Sequence, residues 1–165
     1  MNKCYWIFPL LLTLLYCESD DICPETTPTT PRIIITFYDI NNPDEKKTVE
    51  SLAVYAIKNN QMNIINDIYG INTDSIAIPL RDDEAFSNFK FYKDFDDLDG
   101  NPSGIEDNIY IDYEISSIFI SRACGFINNY NLLNFLQQDT GWILDNLILS
   151  DSITNENQAH VKILH

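Results

Sequence analysis

From Asn108 to Ser121 the chain alternates: Ile109, Ile111, Tyr113 and Ile115 fall on one side, Tyr110, Asp112 and Glu114 on the other. A repeat of two is the period of an extended chain whose successive side chains point to opposite faces, so the stretch predicts a half-buried β-strand. Ser116-Ser117 predicts a bulge or bend before Ile118-Phe119-Ile120 resumes. Arg32–Tyr38 is β-branched and aromatic and breaks at Asp39 and Asn41-Asn42-Pro43, which reads as a strand followed by a turn. Leu52–Ile57, Asp74–Leu80, Phe89–Tyr92, Trp142–Leu149 and Ala159–Leu164 predict further strands, with Pro79 closing one of them or marking an edge. Asn131–Gln138 admits two readings: Leu132, Leu133, Phe135 and Leu136 form one face of a helix, or the run is another strand. Its place inside a series of strands favours β. Strands at short spacing, turn-rich joints and no alternating helices predict an all-β fold over residues 32–165, an antiparallel β-sandwich, Ig-like or transthyretin-like in outline.

The start of the chain has a different pattern. After Met1-Asn2-Lys3, the run from Tyr5 to Tyr16 is apolar and uncharged. As a helix it would rise about 18 Å, short of a hydrocarbon core of roughly 30 Å. Residues 1–16 therefore read as a secretory signal peptide. Leu14-Leu15-Tyr16-Cys17 resembles a lipobox, where a thiol just beyond the apolar run receives a diacylglycerol before cleavage leaves the cysteine first. Tyr16 stands where that pattern has Gly, Ala or Ser. The competing reading is an ordinary signal peptide with Cys17 free or disulfide-bonded, but no small-x-small cleavage site lies nearby. Glu18-Ser19-Asp20-Asp21 resembles the surface-export signal of Bacteroidota lipoproteins. Residues 17–31 then form a lipidated Pro/Thr-rich tether, kept extended by Pro24, Pro28 and Pro31.

Composition adds bounds. The 165 residues suit one folded domain, and 45% hydrophobic with 12% aromatic content exclude a disordered chain. A net charge of −15 repels nucleic acid and anionic head groups, and favours solubility, cationic partners or divalent ions. Of the four cysteines, Cys4 leaves with the signal peptide and Cys17 carries lipid. Cys23 and Cys124 remain, and in an oxidising compartment the simplest inference is that they pair. The competing reading gathers Cys23, Cys124, His160 and His165 around a transition metal, without the short C-x-x-C spacing of structural zinc sites.

Catalytic patterns are sparse. Both histidines, His160 and His165, fall in the final stretch of the sequence, and no G-x-S-x-G, H-E-x-x-H or phosphate-cradling glycine loop occurs. A pair of catalytic carboxylates at glycosidase spacing has no sequence signature and stays open as a third reading. The segment Phe95–Glu106 partly fits a calcium loop, with Asp97, Asp99, Gly100 and Glu106 at the third, fifth, sixth and twelfth places. Phe95 occupies the first place, where an acid belongs, and Pro102 the eighth, so an acidic surface loop is the simpler reading.

Separated pieces form a further pattern: Cys17 and Asp21-Ile22-Cys23-Pro24, then Arg32–Asp39, then Ser121–Phe126, then Asn155-Glu156-Asn157 and Ala159–His165. In order and spacing they resemble an uncharacterised lipoprotein family of Bacteroidota, domain of unknown function 6452. The resemblance implies a signal peptide, lipoprotein character and a β-rich domain, and no known activity. The expectation is a non-enzymatic, cofactor-free binding or assembly module, exported and lipid-anchored at Cys17 in the cell envelope, at the outer membrane and with surface display as an option. Its partners are the membrane, through that lipid, and an envelope protein or glycan. The alternative is a metal-binding envelope protein, with calcium at Asp97, Asp99 and Glu106 or a transition metal at His160 and His165.

Overall fold

The computed structural model describes residues 22–98 and 100–165. The signal peptide, Cys17 and Asp99 lie outside the described residues. Within them the strands, in chain order, are β1 Ile33–Asp39, β2 Asn42–Lys46, β3 Val49–Lys58, β4 Gln61–Ile64, β5 Ile71–Thr73, β6 Ser75–Ile78, β7 Phe86–Leu98, β8 Asn101–Ser121, β9 Gly125–Gln137, β10 Asp145–Ile148, β11 Ser152–Ile153 and β12 Val161–Leu164. No helix occurs among the described residues. The chain divides into two compact units. One holds the described residues 22–29 with Ile118–Ile127, and the other holds Thr30–Ser117 with Asn128–His165.

The larger unit is a β-sandwich of two antiparallel-rich sheets. One sheet runs β10-β12-β1-β2, with β6 also paired to β1; the other runs β11-β9-β8-β7-β3-β4, with β5 also paired to β3. The β1–β12 ladder is parallel, Ile35 opposite Val161 and Phe37 opposite Ile163, so the last strand returns beside the first. The sequence period of two produces the core directly. Ile33, Ile35 and Phe37 of β1, Phe89 and Phe91 of β7, and Ile109, Ile111 and Tyr113 of β8 are all within about 1% of full burial and meet between the sheets. Each such side chain contributes roughly 1.5–3 kcal/mol by leaving water.

Several local expectations meet a different outcome. Asn131–Gln138 is strand: Leu132 and Phe135 are buried whereas Leu133 and Leu136 are about half exposed, a split that one helical face would not give. Ser116-Ser117 does not interrupt β8, which continues to Ser121. Trp142 and Ile143 precede β10 rather than belonging to it, because a buried carboxylate captures their amides: Asp107 accepts from Gly141 N–H at 2.9 Å and from the Trp142 and Ile143 N–H groups at 2.8 Å each. Gln137 Nε2 donates to the same carboxylate at 2.7 Å. Gly141 is required there, since a Cβ would lie 2.2 Å from the Glu106 carbonyl oxygen and 2.7 Å from Asp107 Oδ2. Gly141→Ala is expected to lose about 1–3 kcal/mol of stability through this overpacking, read as a lowered urea midpoint at unchanged slope.

Candidate functional site

Three features of the larger unit have the chemistry of a binding surface. The first is the β7–β8 hairpin, which the sequence presented as an acidic loop. It is a paired ribbon, Asp96 opposite Ser103 and Leu98 opposite Asn101, with a register shift between Lys93 and Asp96. Gly104, at φ 133°, permits the shift; a Cβ there would meet the Lys93 carbonyl oxygen at 2.7 Å. Beside this ribbon Tyr55, Tyr92, Phe95 and Ala53 form a small apolar cluster of their own. Tyr69 stacks edge-on to Phe95 at 5.0 Å and donates its hydroxyl to Asp97 Oδ2 at 2.5 Å. That bond, with some burial, pushes the Tyr69 hydroxyl up to about 12. Glu106 is held below the usual carboxylate range by the Tyr92 hydroxyl and by Lys90, whose Nζ lies 3.1 Å away.

The second feature is a polar groove of about 290 Å³ over β8, β9 and β11. Glu114 and Ser116 of β8, Asn129 and Asn131 of β9, and Ser152 and Thr154 at β11 line it. These positions are two apart on each strand, so side chains of one parity share one face. Ser152 is opposite Asn131 and Ile153 opposite Tyr130, which brings the β11 pair into line with the β9 pair. Tyr130 and Ile115 supply the apolar part of the lining. Asn129 Oδ1 is buried and has no hydrogen-bond partner among the described residues. A buried acceptor left without a donor is unfavourable by roughly 1–3 kcal/mol.

The third is an apolar cleft of about 300 Å³ lined by Ala56, Ile57, Pro79, Leu80 and Phe89, with Lys58 and Arg81 at its border. Both cations are committed: Lys58 Nζ lies 2.8 Å and Arg81 Nε 2.9 Å from the Asp83 carboxylate. Arg81 first and Lys58 second hold Asp83 far below the usual carboxylate range.

The sequence matches a family described as a family of unknown function (DUF6452) over residues 51–165. This chain belongs to that family. No curated protein and no solved structure matches it. For this DUF6452 member, the family assignment runs from within β3 through β12 and so covers all three features.

The residues singled out from sequence fall in separate places. Cys23 and Cys124 are joined as a disulfide, 101 residues apart in sequence and 4.9 Å between Cα atoms. Their sulfurs are thereby committed to each other. Asp97 is opposite Pro102 whereas Glu106 is opposite Tyr92, about 13 Å along β8 at roughly 3.3 Å per residue. Each carboxylate has its own partner, Tyr69 for Asp97 and Lys90 for Glu106. Among the described residues no group of His, Cys, Asp and Glu gathers at metal-binding distance. His160 and His165 flank β12 at its two ends, separated by about 16 Å of extended strand. His160 Nδ1 accepts the Ile34 N–H at 3.0 Å while the His160 backbone N–H donates to the Ile34 carbonyl at 2.8 Å, pinning the start of β12 to β1. His165 packs edge-on to Trp142 and Phe37.

Burial lowers the pKa of both histidines, for His160 against a smaller opposing pull from Glu156. The folded chain prefers the neutral rings, so the unfolded chain takes up protons first as pH falls past the ordinary histidine value of 6.5. Stability is therefore full above that value and declines toward the lowered one, and the melting temperature is expected to fall between about pH 7 and pH 5. His160→Asn keeps an acceptor near the Nδ1 position without taking up a proton, and is expected to flatten part of that fall; an unchanged profile would dissociate His160 from it.

Sequence reasoning passed over Asp107, Asn129 and the groove. The groove's signal was present as polar residues two apart at Glu114/Ser116, Asn129/Asn131 and Ser152/Thr154. Such pairs read as ordinary solvent-facing positions until the sheet order brings the strands side by side.

Proposed function

We propose that this protein is an exported, lipid-anchored envelope protein that acts as a non-catalytic binding or assembly module. The observation that carries the reading is the Cys23–Cys124 disulfide, a bond that persists outside the cytoplasm, six residues beyond the cysteine of the lipobox-like Leu14–Cys17. The module half of the reading draws on the groove over β8, β9 and β11. It offers amides, hydroxyls and the Glu114 carboxylate, and no cation. That donor and acceptor set suits a neutral, hydroxyl-rich partner such as an envelope glycan better than a phosphate or a nucleic acid.

Intact mass of the protein extracted from membranes, before and after reduction, tests the address. The expected species begins at Cys17, carries acyl chains and gains the hydrogens of one reduced disulfide. An unlipidated species would overturn the anchor. Chemical-shift mapping with soluble glycan fragments of the envelope tests the module: shifts centred on Asn129, Asn131 and Ser152 are expected, and an unmoved groove would overturn the glycan reading.

A further inference from the structure

The smaller unit carries a feature the preceding reading does not use. Its described residues are 22–29 and the β8–β9 turn region Ile118–Ile127. Phe126 is 67% exposed, Phe119 57%, Ile118 41% and Ile22 82%. The two phenylalanines stack on each other edge-on at 5.2 Å. Solitary exposed apolar residues are ordinary, but these four belong to one small unit and include a stacked aromatic pair. The unit is also internally braced: the disulfide ties Cys23 to Cys124, Thr27 Oγ1 lies 3.6 Å from Cys124 Sγ, and Ser121 Oγ accepts the Cys124 N–H at 3.1 Å.

Charge distinguishes the β8–β9 turn from the rest of the chain. Ile118–Ile127 holds no acid and one base, Arg122, in a chain of net charge −15, while the acids of this unit, Glu18, Asp20, Asp21 and Glu25, fall in the tether. An acidic surface avoids a bilayer, whereas an acid-free aromatic and aliphatic tip enters the head-group boundary readily. The chain also places a bilayer within reach. Cys17 precedes Cys23 by six residues, a span of at most about 20 Å, and the disulfide holds Cys124, two residues before Phe126, beside Cys23.

We propose that the disulfide-braced Phe119–Phe126 tip is a membrane-docking element that inserts into the lipid surface beside the acylated Cys17. The inference rests on the lipid-anchor reading. Insertion by about 5–10 Å would bury both rings at the acyl boundary and give the anchor a second point of attachment, restricting how the protein turns about its lipid. Arg122, between them, would meet the phosphate layer.

The test uses the full lipidated protein in phosphatidylcholine vesicles whose acyl chains carry bromine, a short-range quencher of indole fluorescence. Phe119→Trp and Phe126→Trp each add an indole at the tip, and the unsubstituted protein supplies the background. The added indoles are expected to emit to the blue of solvent-exposed tryptophan and to lose most of their emission in brominated vesicles. A third variant, Ile105→Trp, places an indole at an exposed site on β8 outside this unit and is expected to remain unquenched. If the protein floats with the vesicles but the tip indoles behave as the Ile105→Trp indole does, docking is overturned and the anchor stands. If the protein does not float and Cys17 carries no acyl chain, the anchor has failed. Docking then survives only if added brominated vesicles still quench the tip indoles.

Discussion

Asp107→Ala is expected to destabilise the protein by about 3–5 kcal/mol, because each buried N–H it strands costs roughly 1–3 kcal/mol. Asp107 is fully buried, and its oxygens receive the N–H groups of Gly141, Trp142 and Ile143 together with the Gln137 side chain. No other side chain is hydrogen-bonded to those three amides among the described residues, and the close approach at Gly141 leaves little room for water. The carboxylate also sets the entry into β10, since it holds Trp142, which packs on Phe37 and His165. Loss of the clamp should therefore shift Trp142 emission toward that of a solvated indole at denaturant concentrations where the parent is still folded. Asp107→Asn keeps the volume and one oxygen but turns an amide toward backbone donors, so its urea midpoint is expected between those of the parent and Asp107→Ala. A loss below about 1 kcal/mol for the alanine variant would mean that water or a backbone shift replaces the carboxylate.

The second large effect is the disulfide. Joining residues 101 apart removes conformations from the unfolded chain, and for a loop of that size the chain-entropy argument gives about 4–5 kcal/mol. Cys124→Ala, or reduction of the parent, is expected to lower the denaturant midpoint by a corresponding amount. The two changes should not add, because they remove the same constraint. Against a total stability of about 5–15 kcal/mol for a domain, either loss is a substantial fraction. A fall of less than about 1 kcal/mol would show that residues 22–29 keep Cys23 near Cys124 without the bond, or that the unfolded chain is already restricted.

Legibility differed by the kind of signal. The all-β sandwich and the Ile109–Ile115 strand follow from patterns local to a few residues, above all the alternation of apolar and polar positions, and the family match from separated pieces in a fixed order along the chain. Phe95–Glu106 was misread as a loop because its Asp, Gly, Asn and Pro residues are turn formers. They are accommodated in a ribbon by the bulge that Gly104 makes possible. Trp142-Ile143 was misread as strand because an apolar pair suits a sheet equally well. What removes it is a carboxylate some thirty-five residues earlier. The groove was unreadable for a related reason: each of its three polar pairs is ordinary by itself, and only the β8-β9-β11 order sets them side by side.

By itself the sequence determined that Ile109, Ile111 and Tyr113 share the inward face of their strand, because a period of two assigns faces without reference to any other segment. It also determined the acidity of the whole, which is a sum over composition. Only the tertiary structure decided that β12 returns parallel to β1, that Asp107 holds the Gly141–Ile143 amides, and that Asp97 and Glu106 serve different partners. These depend on contacts between residues far apart in the chain. Their free energy appears only when the loops between them close, and no local pattern encodes that closure.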